Sequence, residues 1–82
     1  MNVTFSPIQN FETTPRSFTA RDGSLRTYIS GRTVATVDGK MIIVDVLTAE
    51  PMKFAAGKPI TAELRSFEYS RDAGIPKLRV KI

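Results

Sequence analysis

Apolar and polar residues alternate by two along most of this chain, and no segment of 11 or more residues carries a clean 3.6-residue period. Alternation by two puts successive side chains on opposite faces of a strand, so the chain reads as strands and turns throughout. N-V-T-F-S-P-I-Q-N-F, residues 2 to 11, alternates at Val3 and Phe5 and then meets Pro7. Proline cannot donate to a ladder, so an edge or a bulge is expected there.

Two Asp-Gly pairs predict hairpins, because a type I′ loop needs positive φ at both central residues. With Asp22-Gly23 as a two-residue loop, Arg21 faces Ser24, Thr19 faces Arg26 and Ser17 faces Tyr28 on one side. Ala20 with Leu25, Phe18 with Thr27, and Arg16 with Ile29 then share the other side. One face thus offers Arg21, Arg26 and Tyr28 to solvent, and the other offers Phe18, Ala20, Leu25 and Ile29 to a core. A longer turn over Asp22 to Leu25 would shift this pairing. The second pair, Asp38-Gly39, joins R-T-V-A-T-V to K-M-I-I-V-D-V-L, the most apolar strand, with Met41 to Val44 expected in the core. The same counting sets Arg32 opposite Asp45, on the face that holds Val34, Met41 and Ile43.

T-A-E-P-M-K-F-A-A-G-K-P, residues 48 to 59, reads as a loop with at most one helical turn. I-T-A-E-L then points Ile60, Ala62 and Leu64 inward, and parity carried past Arg65 turns Phe67 and Tyr69 outward unless a bulge intervenes. After S-R-D-A-G, the run K-L-R-V-K-I points Leu78, Val80 and Ile82 inward and Lys77, Arg79 and Lys81 outward. Five or six short strands joined by hairpins suit closure, which removes edges that a small sheet could not protect. The expectation is all-β: a five-stranded antiparallel OB-fold-like barrel with protruding hairpins.

The 82 residues make one domain, residues 1 to 82, since so short a chain cannot bury two cores. Without cysteine or histidine, the commonest metal ligands and the commonest general base are missing, so neither an enzyme nor a cofactor site is expected. Asp22, Asp38 and Asp72 fall in turns, where an Asp side chain caps its own backbone. No run of 18 apolar residues and no basic leader is seen, so no membrane association and an intracellular, soluble protein are expected. Twelve Lys+Arg against eight Asp+Glu give +4, a modest excess that favours polyanions.

The order and spacing of F-E-T-T-P-R, R-D-G followed by a tyrosine, M-I-I-V-D-V, F-A-A-G before a strand, L-R-S-F before a hairpin, and finally K-L-R-V resemble the single-stranded DNA-binding proteins of filamentous bacteriophages, the gene V protein type. The resemblance implies an OB-fold homodimer that coats phage single strands cooperatively in the host bacterial cytoplasm during DNA replication, without an enzymatic step. It also implies a basic, aromatic-bearing wing and a second hairpin that forms the dimer. Arg16, Arg21 and Tyr28 fall on the wing's arginines and tyrosine, Gly23 on its turn, Phe54 and Gly57 on the aromatic-Ala-X-Gly segment, and Phe67 on the aromatic entering the dimer hairpin. The family's aromatic at the tip of that hairpin has no counterpart in S-R-D-A-G, which leaves Tyr69 or Arg71 in its place. Thr36 and Lys40 or Met41 stand where middle-hairpin tyrosines would be.

Binding single strands without regard to sequence needs cations along the phosphates and flat side chains under the bases. Arginine serves both, because its planar fork pairs with phosphate oxygens or lies against a base. The nucleic-acid candidates are Arg16, Arg21, Arg26, Tyr28, Arg32, Phe54, Tyr69, Arg71 and Arg79, with Phe67 and Tyr69 at a dimer interface. Each has a plainer reading. The wing arginines could only keep a hairpin soluble, Tyr28 could be a half-buried strand aromatic, and Asp45 could claim Arg32. Lys77, Arg79 and Lys81 could mark only an outer strand face, and Phe67 is core if a bulge flips it. The competing functions are a protein-interaction or virion-structural β-module and an RNA-binding small barrel.

Overall fold

The computed structural model describes residues 1–69, with the Tyr69 side chain excepted, and 74–82, and among them every regular element is a strand. In chain order these are β1 (Asn2–Pro7), β2 (Phe11–Glu12), β3 (Thr14–Thr19), β4 (Leu25–Val37), β5 (Lys40–Thr48), β6 (Lys53–Phe54), β7 (Ile60–Tyr69) and β8 (Pro76–Lys81). The segment 48–59 holds the short strand β6 and no helical turn.

The main sheet runs β1-β7-β8-β5-β4-β3, and β1 also pairs with β4. Asn2 to Phe5 of β1 lie on β7, whereas Ser6 and Pro7 lie on β4. Pro7 sits at this change of partner, buried opposite Ala35. Hydrogen bonding therefore passes from β1 through β7, β8, β5 and β4 back to β1, and β3 hangs outside on β4. The expectation of purely antiparallel strands is corrected at one place: β5 and β8 are parallel, Ile43 beside Lys77 through Leu47 beside Lys81. A parallel pair needs a long crossover between its strands, and here β6 and β7 supply it.

The core follows from alternation. Phe5, Ala35, Ile42, Val44, Val46, Ala62, Leu78 and Val80 are buried together. On β5 the buried positions are Ile42, Val44, Val46 and Thr48; Met41 is 56% exposed and Ile43 half-buried, so the expectation of Met41 to Val44 as continuous core is corrected. Ile82, expected inward, is exposed beyond the end of β8. The β4–β5 turn is the expected type I′ loop, with φ of 50° at Asp38 and 78° at Gly39. Arg32 stands opposite Asp45 as counted.

A close backbone approach and a relay of buried hydroxyls tie the small β2–β6 ribbon to the main sheet. Gly31 of β4 is buried beneath Glu12, and a Cβ there would collide with the Glu12 carbonyl. Beside it, the Thr13 hydroxyl accepts from the Met52 N–H at 2.9 Å and meets the Thr48 hydroxyl at 2.8 Å. The Thr48 hydroxyl donates to the Glu50 carbonyl at 2.6 Å, so it is Thr13 that donates to Thr48. Every polar atom of this buried relay is thereby satisfied.

In β7 the pairing with β8 shifts between Leu64 and Ser66, a bulge that Arg65 absorbs. Parity flips there, and Phe67 comes opposite Leu78 rather than on the outer face. Phe67 nevertheless remains 57% exposed. It stands beside Leu78 at the end of the core, on the inward side, and more than half of its surface stays open among the described residues.

Candidate nucleic-acid interface

The β3–β4 hairpin turns differently from the two-residue loop its Asp-Gly suggests. The Gly23 N–H donates to the Ala20 carbonyl at 2.9 Å, and the Ala20 N–H to the Ser24 carbonyl at 2.8 Å. Arg21, Asp22 and Gly23 therefore form a three-residue loop, a type I turn whose last residue takes φ +84°. That φ is why glycine occupies it. Asp22 fixes the loop from outside: one carboxylate oxygen accepts from the Ser24 N–H at 2.9 Å and from the Ser24 hydroxyl at 2.6 Å. Those hydrogen bonds hold the Asp22 pKa below the ordinary aspartate value.

This loop moves the pairing by one residue. Arg16 stands opposite Tyr28, Phe18 opposite Arg26, and Thr19 opposite Leu25. The expected faces are corrected accordingly: Arg16 and Phe18 share a side with Arg26 and Tyr28, while Leu25 and Ile29 share the other with Ser17 and Thr19. Phe18 and Tyr28 meet edge to face, ring centres 5.7 Å apart at 62°. Phe18 is 48% exposed and Tyr28 39%, so neither belongs to a core.

Because β4 runs unbroken from Leu25 to Val37, the wing face continues onto the outer face of the main sheet. There it becomes an open groove of about 620 Å³. Arg16, Phe18 and Tyr28 line one end, Ser30, Arg32, Leu47 and Asp45 the floor, and Lys77 and Arg79 of β8 the far side. The lining holds four cations and one carboxylate. Arg32 grips Asp45 through Nε at 2.7 Å and a second guanidinium nitrogen at 3.2 Å, and the Lys77 ammonium stands 3.2 Å from the other oxygen. Burial opposes the Asp45 charge, but hydrogen bonds from Arg32 and Lys77, together with their charges, outweigh it and keep the Asp45 pKa below its ordinary value. Arg79 approaches Glu68 only at 3.9 Å, and among the described residues no carboxylate lies within 4 Å of Arg16.

The predicted site residues are thus only partly gathered. Arg16, Tyr28, Arg32 and Arg79 share the groove. Arg26 lies on the same face nearer the wing tip, 4.0 Å from Asp22, and Arg21 sits in the loop itself. Phe54 is elsewhere: half-buried, it stacks on Phe11 with ring centres 4.8 Å apart across the β2–β6 pair. Phe67 belongs to the β7–β8 hairpin. The Tyr69 side chain and Arg71 lie outside the described residues.

Two groove residues are not legible in that role: the two-residue register puts Phe18 on the apolar face, and Asp45 reads only as a partner for Arg32, whereas Lys77 is weighed with Arg79 as an outer-face cation. The one available signal was the serine after Asp-Gly, since D-G-S lets the aspartate cap the residue two ahead. No protein-family model, no curated protein and no solved structure matches this chain.

Proposed function

We propose that this protein binds single-stranded DNA without regard to sequence, the phosphates following Arg16, Arg32, Lys77 and Arg79 and the bases lying on Phe18 and Tyr28. The observation that carries the reading is the exposed ring pair standing at the mouth of a groove with four cations against one carboxylate. Stacking contributes roughly 1–3 kcal/mol per base and accepts any base, because each has a π-face. Arginine forks in the groove add bidentate contacts to phosphate oxygens. Stacking on a ring face does not distinguish one base from another, so sequence tolerance follows.

The wider reading is an OB-fold of the gene V type. The pairing path β1-β7-β8-β5-β4 returning to β1, with one parallel pair, supports it, as does a protruding basic wing. On that reading the protein is a homodimer joined through the β7–β8 hairpin, where Phe67 is 57% exposed, and it coats phage single strands cooperatively in the host cytoplasm. It performs no catalytic step.

Titration of poly(dT) at several salt concentrations tests the binding. Each phosphate contact should add about −0.7 to the slope of log affinity against log salt. A flat response overturns the reading. The exposed Phe67 and Met41 favour a second one, a protein-interaction or virion-structural module whose arginines are incidental. It predicts a specific protein captured by pull-down and no shift of oligonucleotides in a gel. An RNA-binding barrel is told apart by ribose over deoxyribose preference in competition.

A further inference from the structure

Resting on the single-strand reading above, we infer that Asp45 acts as a built-in rival to the bound phosphate, holding Arg32 and Lys77 in the groove and keeping the affinity below what the groove's cations would give alone. A carboxylate at the floor of a basic groove weakens binding to a polyanion unless it has another task. Its geometry indicates that task. Both Asp45 oxygens are used, one by Arg32 Nε at 2.7 Å, the other by a second Arg32 nitrogen at 3.2 Å and by the Lys77 ammonium at 3.2 Å. A guanidinium fork grips a phosphate in the same two-pronged way that it grips a carboxylate.

The side chains also differ in access. The Asp45 side chain is 22% exposed and that of Lys77 20%, but that of Arg32 is 61% exposed. Arg32 is therefore free to turn toward a strand, while the carboxylate stays behind as a fixed charge under the phosphate path. On the wing, Arg16 has no such rival among the described residues. The groove's four cations thus fall into two kinds: Arg16 and Arg79, the latter only as near as 3.9 Å to Glu68, open to phosphate, and Arg32 and Lys77, already partly neutralised by Asp45. Binding that must later be reversed gains from the second kind, because the displaced cations return to a ready partner.

The test compares Asp45→Asn, which keeps shape and removes charge, with the unchanged chain in oligo(dT) titrations from 0.1 to 1 M salt. One additional phosphate contact is expected: a slope steeper by about 0.7, hence affinity about five-fold higher at 0.1 M and equal near 1 M. An unchanged or shallower slope in folded Asp45→Asn overturns the inference and leaves the single-strand reading intact. Absence of salt-dependent binding in the unchanged chain overturns both. A second comparison does not require the Asn variant to fold. Arg16→Gln should flatten the slope by about 0.7 and Arg32→Gln by less than half as much. Equal losses at the two positions contradict the rival role.

Discussion

Asp22-Gly23 and Asp38-Gly39 stand at the two ends of one strand, β4, with the same pair of residues in each turn. At Asp38-Gly39 both residues take positive φ in a two-residue loop. At Asp22-Gly23 only the glycine does, inside a three-residue loop capped by the Asp22 carboxylate. The surroundings account for the difference. The β4–β5 ribbon buries Ala35, Ile42, Val44 and Val46 on one face, and a slip by one residue would turn them all to water. The β3–β4 wing is exposed or half-exposed on both faces, so no buried set selects its register and the local hydrogen bonds of Asp22 and Ser24 decide it. An identical dipeptide is read by the core in one hairpin and by its own side chain in the other.

The comparison can be broken first through stability. Ile42→Ala opens a cavity behind the core-backed ribbon and should cost about 2–5 kcal/mol in urea unfolding. Leu25→Ala on the wing, where Leu25 is 70% exposed, should stay within about 0.5 kcal/mol. A wing substitution as costly as the core one would mean that the wing, too, is packed against something. Next in size is Gly31→Ala at the seam between the ribbons. Its Cβ would run into the Glu12 carbonyl, and overpacking of this kind costs about 1–3 kcal/mol in thermal unfolding.

Acid sharpens the same contrast at the groove floor. Asp45 has its pKa lowered in the fold, so the unfolded chain takes up a proton more readily. Its contribution is full above the unfolded value of about 3.9 and is lost as pH falls through the lower folded value. Thermal unfolding should therefore separate the unchanged chain from Asp45→Asn at pH 6 and bring the two closer at pH 3. A constant gap would show that the carboxylate's charge does not matter there.

The all-β class, the second hairpin with Arg32 opposite Asp45, and the inward run Ala62, Leu64, Leu78 and Val80 were legible because alternation and burial agree in those strands. Two things were not. The Arg65 bulge in β7 leaves no mark on the pattern, since L-R-S-F alternates as well with it as without it, and so the parity of Phe67 was lost. The wing register could not be read from hydrophobicity, because Phe18 and Leu25 are both exposed and either could have faced a core. The site inherits that ambiguity: Tyr28 and the arginines were recognisable by type, but their union with Phe18 depends on a single residue of loop length.

The smallest effect tests that loop length itself. Deleting Arg21 leaves Asp22-Gly23 as a two-residue loop while Ala20 still faces Ser24, so the Arg16–Tyr28 and Phe18–Arg26 pairs should persist. Cross-strand nuclear Overhauser contacts should be those of the unchanged wing. Pairs shifted to Phe18 with Thr27 would mean that the wing register is set by something other than the turn.

The most direct measurement uses the aromatic itself. The chain has two tyrosines and no tryptophan, so Tyr69→Phe leaves Tyr28 as the only emitter near 305 nm. Titrating that variant with oligo(dT) at about 0.1 M salt should quench the emission as bases stack on the ring, and about 1 M salt should restore it. Emission that stays unchanged while the oligonucleotide is bound would contradict the proposed groove.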